Sequence, residues 1–81
     1  MIDEELTTQP ADQGDYDKLL HRAYGGDMRA LHDLIRFSIE EIDSGHDVPR
    51  DVVIYILLVY LKTINGVPPA RALMLARPPG N

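Results

Sequence analysis

The chain has 81 residues, a formal net charge of −5 at pH 7 and no cysteine. A chain of this length forms one small domain whose own core gives only marginal stability, and the lack of cysteine excludes disulfide bonds and thiolate metal sites. Hydrophobic residues make up 44% of the chain, which excludes wholesale disorder, so stability must come from helix packing or from association with another chain.

The acidic charge is concentrated near the N-terminus. Residues 1–17 contain six acidic residues and no basic one, whereas residues 18–81 contain seven acidic and eight basic residues. Residues 1–14 hold few large apolar side chains and are predicted to be a disordered acidic arm, and residues 15–81 are predicted to be the helical domain. The arm lacks the basic start and apolar middle of a signal peptide, so a soluble cytoplasmic protein is expected.

Two amphipathic helices are predicted in the first half of the domain, over about 15–24 and 27–43. Asp15 can cap the first helix, its apolar residues recur at spacings of three and four, and Gly25-Gly26 ends it. Asp27 can cap the second helix, which has one apolar side and an opposite side of alternating charges. These patterns predict two helices that share a hydrophobic interface.

Ten consecutive apolar residues, from Val52 to Leu61, dominate the third element. A run rich in Val and Ile is compatible with a buried strand or a buried helix. The flanking residues favour a helix over about 49–64, because proline suits the first helical turn and Asn65-Gly66 provides an end. A short fourth helix is predicted over about 69–77. The apolar run is too short to span a bilayer, which needs about 20 residues, so no membrane association is expected.

The third helix is the main source of the functional prediction. At about 100° per residue, its flanking charges mark one side as exposed, and that side comprises Asp51, Tyr55, Leu58 and Lys62. The other sides are apolar, and the remaining helices of so short a chain cannot cover all of them. The sequence therefore predicts a homodimer through this helix, with an interface that comprises Ile54, Tyr55, Leu58, Leu61 and Lys62. A monomeric four-helix core and a groove for a foreign helix are the alternatives.

No residue pattern in the sequence predicts catalysis or metal binding. His21, His32 and His46 lie on separate segments, and none belongs to the i, i+4 pair of ligands found on zinc-binding helices. The acidic pairs occur in the predicted arm and at a solvated helix end, where no dry pocket for general acid catalysis is expected. The sequence therefore predicts a non-enzymatic protein with no cofactor, no metal and no small-molecule substrate.

A second function is suggested by residues 65–75, where a glycine turn precedes the sequence Ala-Arg-Ala-Leu-Met-Leu. This segment resembles the first helix of helix-turn-helix DNA-binding domains and its alanine–leucine packing. The resemblance implies a recognition helix after the next turn, and the Pro-Pro-Gly-Asn sequence of residues 78–81 does not predict one. The alternative function is a transcription regulator that contacts DNA through its basic C-terminal half, and the candidate contacts are Arg50, Lys62, Arg71 and Arg77.

Taken together, these patterns predict an all-α domain of three or four helices with a disordered acidic arm. The predicted function is that of a small regulatory or interaction module that binds a protein partner, most simply as a homodimer. Chains of this size and composition are common among the accessory and inhibitory proteins of bacteria and their phages. That last association rests on size and composition alone.

Overall fold

The computed structural model describes residues 11–78, and within this range the chain forms four α-helices and no strand. They are α1 (Gln13–Tyr24), α2 (Met28–Asp43), α3 (Arg50–Ile64) and α4 (Pro69–Leu75). The all-α class predicted from the sequence is confirmed for the described residues. Residues 1–10 of the predicted acidic arm lie outside them. None of the four helices is both long and apolar enough to cross a membrane.

Helix α1 begins two residues earlier than the sequence pattern predicts. Asp12, in extended conformation, is the residue that precedes the helix. Asp15, expected to be the cap, lies in the first turn instead, and its carboxylate accepts a hydrogen bond of 3.2 Å from the amide of Asp12. A carboxylate at this position satisfies an amide that has no partner within the helix. The predicted boundary between residues 14 and 15 therefore falls inside α1.

The corner between α1 and α2 follows the predicted chemistry. The carboxylate of Asp27 accepts hydrogen bonds from the amides of Arg29 and Ala30 at 3.0 and 3.3 Å, which caps α2. Gly26 before it has φ of 95°, a left-handed conformation that favours glycine, and its backbone lies close to the carbonyl of Ala70 in α4. The corner thus ends α1, starts α2 and contacts α4.

Helix α3 contains the whole ten-residue apolar run, but its start is not capped by a side chain. Pro49 immediately precedes the helix and makes no side-chain capping bond. The helix ends at Ile64, after which Gly66 adopts φ of 94° in the turn that leads to α4. Helix α4 ends at Leu75, two residues earlier than expected, so Arg77 lies in the turn that follows it.

The short helix α4 is the element that packs substantially against each of the other three helices. Its Ala72 and Leu73 are fully buried, and the small alanine side chain lets neighbouring helices approach closely. Helix α1 packs mainly against α2, and α3 packs mainly against α4. The buried apolar side chains are Tyr16, Leu20, Ala23, Ala30, Leu31, Leu34, Val52, Tyr55, Val59, Ala72, Leu73 and Ala76. Since α3 is held chiefly from one side, nearly half of its circumference has no cover from this chain.

Candidate protein-interaction surface

The outward side of α3 is a continuous apolar surface, which we call the α3 ridge. Each of its side chains is between 40% and 61% exposed, and they are Val53, Ile54, Leu57, Leu58, Tyr60, Leu61 and Ile64. At 100° per residue these positions cover an arc of about 160° around the helix. Within that arc the charged residue is Arg50, at the first position of α3. From Val53 to Ile64 the side that faces solvent is therefore apolar, over about three helical turns.

Tyr55 was expected at the interface from the sequence, but it lies in the core and only 2% of it is exposed. Its hydroxyl donates a hydrogen bond of 2.6 Å to the carbonyl oxygen of Leu73, and its ring meets the ring of Tyr24 edge to face at 5.1 Å. The last carbonyls of a helix lack partners within it, so α4 supplies an acceptor for this hydroxyl. Burial, with a smaller contribution from Tyr24, raises the pKa of Tyr55.

The other predicted interface residues lie on or beside the ridge. Ile54, Leu58 and Leu61 are exposed, and Lys62 is half-buried. Ile54, Leu58 and Lys62 line one groove between α3 and the segment that follows α4, and the same groove is lined by Asp51, Leu75 and Arg77. Tyr55 contributes to this groove from the core side. The structure therefore brings four of the five predicted residues to one groove, with Leu61 farther around the helix.

A second groove follows the opposite edge of the α3 ridge, between α3 and α2. Its walls are apolar and comprise Met28, Leu31 and Ile35 on α2, and Ile56, Leu57, Val59, Tyr60 and Thr63 on α3, with Pro69 at one end. The groove exists because α2 and α3 touch α4 more than they touch each other. The ridge thus has a groove along each of its two edges, an apolar one beside α2 and one with charged residues beside the segment that follows α4.

Several residues of this surface were not named as interface residues by sequence reasoning, chiefly Val53, Leu57, Tyr60 and Ile64. Their spacing of four, three and four residues is the repeat of a helix that packs along another helix. That signal was present in the sequence. It was masked because every neighbouring position in the run is apolar too, so the spacing did not stand out.

The basic residues considered for DNA contact do not lie along one groove. Arg50, Arg71 and Arg77 are exposed, whereas Lys62 is half-buried. Lys62 and Arg77 line the same groove, but Asp51 shares it with them. Arg50 lies at the start of the α3 ridge among apolar side chains. Within residues 11–78, Lys62 and Arg77 therefore share one groove with an acidic residue, and Arg50 does not line that groove.

The histidines and acidic residues were also considered as metal ligands. Between residues 11 and 78 no group of three or more His, Asp or Glu side chains is placed to hold a metal ion. The Nδ1 atom of His46 lies 3.4 Å from Oε1 of Glu41, which also accepts a hydrogen bond of 3.0 Å from the amide of Ala11. These contacts hold the segment before α1 and the turn after α2 against the end of α2, which is a structural role.

No protein-family model matches the chain, and neither a curated protein nor a solved structure is significantly similar to it. The α3 ridge and its two grooves are therefore the features from which a function can be inferred.

Proposed function

We propose that this protein is a small non-enzymatic interaction module that forms a homodimer through the α3 ridge. The observation that carries the proposal is the set of seven half-exposed apolar side chains on one side of one helix. Monomeric soluble proteins scatter exposed apolar residues singly, and a contiguous apolar patch marks an interaction site. The ridge has no polar interruption along its centre, so water is a poor solvent for it.

Burial of the ridge supplies free energy on the scale that association needs. Complete burial of a Val, Leu or Ile side chain contributes roughly 1.5–3 kcal/mol, so the exposed half of each ridge residue contributes about 1 kcal/mol. Two copies contribute two ridges, whereas association costs roughly 4–15 kcal/mol in lost translational and rotational freedom. A paired ridge therefore reaches the range of a stable dimer, and an unpaired one leaves the chain with an uncompensated apolar surface.

A second copy of the chain fits the ridge better than an unrelated helix for a geometric reason. A two-fold dimer uses the same patch twice, so the patch must complement itself. The α3 ridge has a groove along each edge, and each copy therefore offers both protruding side chains and depressions to receive them. A groove built for a foreign helix needs only the depression.

The proposal includes a regulatory role in which the dimer binds a further protein. Ile39 and Ile42 on the last turns of α2 are 52% and 60% exposed, and neither belongs to the α3 ridge. They offer an apolar contact that stays available after the ridge is covered.

Contact with DNA has less support, because the basic residues are separated and Asp51 shares a groove with two of them.

The experiment that tests the proposal compares Leu57→Glu with the parent chain by sedimentation over a wide range of protein concentration. Leu57 is at the middle of the ridge and is 53% exposed, so a carboxylate there is tolerated in the monomer but loses its water in the dimer. The dissociation constant of the dimer is expected to rise by about 100-fold or more. His32→Glu is the matched control, since His32 is exposed on the polar side of α2 and the substitution adds the same charge.

Equal dissociation constants for the parent, Leu57→Glu and His32→Glu would reject the ridge as the interface. A parent chain that stays monomeric at millimolar concentration would reject the homodimer. In that case titration with an amphipathic helical peptide would show whether a foreign helix binds the ridge in its place.

A further inference from the structure

We infer that the groove between α1 and α2 binds an arginine-containing peptide segment of a protein partner. We call it the α1–α2 groove, and its volume of about 490 Å³ is within the usual range of binding pockets. The side chains that line it come from α1, from α2 and from Ala11 just before α1. The groove is therefore formed without α3, and this inference goes beyond the proposed homodimer.

The α1–α2 groove is acidic. Four carboxylates and the guanidinium of Arg36 line it, which gives a formal charge of −3. The carboxylates are those of Asp15, Asp33, Glu40 and Glu41. Among residues 11–78, the carboxylates of Asp33 and Glu40 make no ion pair and no hydrogen bond. Residues 1–10, which precede the groove in the chain, contain three more acidic residues and no basic one. The groove therefore attracts a cationic ligand and repels nucleic acid and anionic lipid.

Apolar side chains form the deeper part of the α1–α2 groove. Leu19 of α1 and Phe37 of α2 are half-buried and pack against the hydrophobic core, whereas Asp15 and Glu40 are exposed. An arginine side chain matches this arrangement, because its methylene groups cover apolar surface while its guanidinium bonds a carboxylate. The planar guanidinium also stacks on an aromatic ring, which the compact ammonium of lysine does less well. The groove is therefore better suited to arginine than to lysine.

A buried hydroxyl beside the α1–α2 groove lacks a hydrogen-bond partner. Tyr16 is 1% exposed, and its hydroxyl has no partner among residues 11–78. Its ring lies 5.0 Å from the ring of Phe37. Burial, with smaller contributions from the carboxylates of Glu41 and Asp15, raises the pKa of that hydroxyl. These three neighbours of Tyr16 all line the groove, so its hydroxyl lies directly behind the groove wall.

A peptide can complete this unpaired donor. Buried polar groups in proteins normally have a hydrogen-bond partner, and a peptide backbone offers carbonyl oxygens as acceptors. In the proposed complex a side chain of the groove wall moves to expose the hydroxyl of Tyr16, which then donates a hydrogen bond to a peptide carbonyl. The arginine side chains of the same peptide meanwhile contact the carboxylates.

The arrangement favours a peptide over a free cation. Residues 11–78 contain no group of three or more His, Asp or Glu side chains placed to hold a metal ion, so the four carboxylates are not arranged to share one ion. A polyamine has cationic groups and methylene groups but no carbonyl to accept a hydrogen bond from Tyr16. A peptide with spaced arginines supplies all three in one molecule.

Fluorescence anisotropy with a labelled peptide, Arg-Leu-Arg-Arg-Leu-Arg, tests the inference on the full chain. The peptide is expected to bind, with a dissociation constant that rises with salt because exposed charges are screened. The same peptide with lysine at every arginine position is expected to bind at least about threefold more weakly. Equal affinity for the two peptides, or displacement of the arginine peptide by an equal concentration of spermidine, would overturn the choice of ligand. No binding of the arginine peptide at low salt would overturn the site.

Neutral substitutions test whether the peptide occupies the α1–α2 groove. The double variant Asp33→Asn/Glu40→Gln is expected to raise the dissociation constant of the arginine peptide about tenfold. Asp43→Asn/Asp47→Asn is the matched control, since both residues are exposed, neither lines the groove and the change in net charge is the same. Equal losses in the two double variants would show a general attraction to an acidic chain and would reject the groove.

Two conservative substitutions test the deeper part of the groove. Phe37→Leu keeps an apolar side chain but removes the ring, so the preference for the arginine peptide over the lysine peptide is expected to disappear. Tyr16→Phe removes the unpaired hydroxyl and is expected to raise the dissociation constant of the arginine peptide about threefold or more. An unchanged preference in the first variant and unchanged affinity in the second would contradict the proposed contacts.

The Leu57→Glu variant separates this inference from the proposed homodimer. Because the α1–α2 groove is formed without α3, Leu57→Glu is expected to bind the arginine peptide as tightly as the parent chain does. A parent chain that binds the peptide but stays monomeric would reject the homodimer and leave the groove intact. A chain that forms the homodimer but does not bind the peptide would reject the groove alone.

Discussion

Helices α2 and α3 have nearly the same length, 16 and 15 residues, and each has one buried side, but their solvent-facing sides differ in polarity. Each buries one side within the chain: Leu34 and Ser38 in α2, Val52 and Val59 in α3. The outer side of α2 carries charged residues over most of its length, whereas the outer side of α3 carries the apolar ridge. The outer side of α2 is therefore suited to contact with water, whereas the outer side of α3 is apolar and exposed.

The starts of α2 and α3 also differ, because only α2 has a side-chain cap. Asp27 caps α2 with two hydrogen bonds, whereas Pro49 precedes α3 without a side-chain cap. The stability of α2 is therefore provided locally and by its contacts with α1. The stability of α3 depends on α4 within the chain, and in our proposal on a second copy. Substitutions at Leu73, Tyr55 and Asp27 test this contrast.

The largest effect is expected from Leu73→Ala, because Leu73 is fully buried in the helix through which α3 is attached. Truncation of a buried leucine leaves a cavity, and the free energy of unfolding is expected to fall by roughly 2–5 kcal/mol. Denaturant unfolding measures it, in the Leu57→Glu background so that association does not contribute. Leu75→Ala, on an exposed side chain of the same helix, is the matched control and should change little.

Hydrogen exchange of the Leu73→Ala variant then tests the comparison directly. If α3 is held mainly through α4, amide exchange in α3 should accelerate more than exchange in α2. An equal acceleration in both helices would show that they unfold as one unit, and the contrast between them would then be limited to their surfaces.

A smaller effect is expected from Tyr55→Phe, which removes the hydrogen bond from α3 to the carbonyl of Leu73. A buried acceptor left without its donor costs about 1–3 kcal/mol, so thermal or denaturant unfolding should show a loss in that range. Tyr16→Phe is the matched control, since the buried hydroxyl of Tyr16 has no hydrogen-bond partner among residues 11–78. Equal losses for the two variants would contradict a specific role for the Tyr55 bond.

The same tyrosine makes a prediction about pH. Burial raises the pKa of Tyr55 above its ordinary value near 10, so above about pH 10 the unfolded chain releases a proton that the native chain keeps. Stability should therefore be insensitive to this group below pH 10 and should fall as the pH rises above it. Tyr55→Phe should reduce that slope without abolishing it, because burial also raises the pKa of Tyr16 and Tyr24.

The smallest effect is expected from Asp27→Ala, which removes the cap of α2. Loss of a capping carboxylate should lower the melting temperature by about 3–10 °C for a domain of this size. Asp47→Ala is the control, since Asp47 precedes α3 but is not its capping residue. A comparable decrease for both variants would show that the two helix starts are not as different as their hydrogen bonds indicate. The hydrogen bond from Arg22 lowers the pKa of Asp27, so the stability that this carboxylate provides should diminish progressively as the pH falls below about 4.

Much of the fold could be predicted from local patterns. Residues that start or end helices could be recognised because they act through their own backbone and their nearest neighbours. These residues are Gly25-Gly26, Asp27, Pro49 and Asn65-Gly66. The helix ends predicted at Asp15 and Arg77 were each wrong by two residues, because α1 begins at Gln13 and α4 ends at Leu75. Before α1, the amide of Ala11 donates a hydrogen bond to Glu41, a residue 30 positions away that the local pattern does not reveal.

The sequence predicted that α3 carries the candidate site, but it did not predict correctly which side of α3 is exposed. The excess of apolar residues in α3 was visible in the sequence, and Ile54, Leu58 and Leu61 are exposed as the homodimer prediction requires. Tyr55 was placed on the wrong side, because the flanking charges Asp51 and Lys62 were taken to mark the centre of the exposed side. They mark its edge, and the centre lies near Leu57.

The sequence by itself determined that the chain is helical and that one helix is too apolar for its own chain to cover, since periodicity and helix signals are local and apolar content is additive. Only the tertiary structure decided which side of α3 stays uncovered. That choice depends on α4, a seven-residue helix whose small and fully buried side chains let it fit between the other three. Packing of that kind depends on the shapes of several helices at once, and no single segment encodes it.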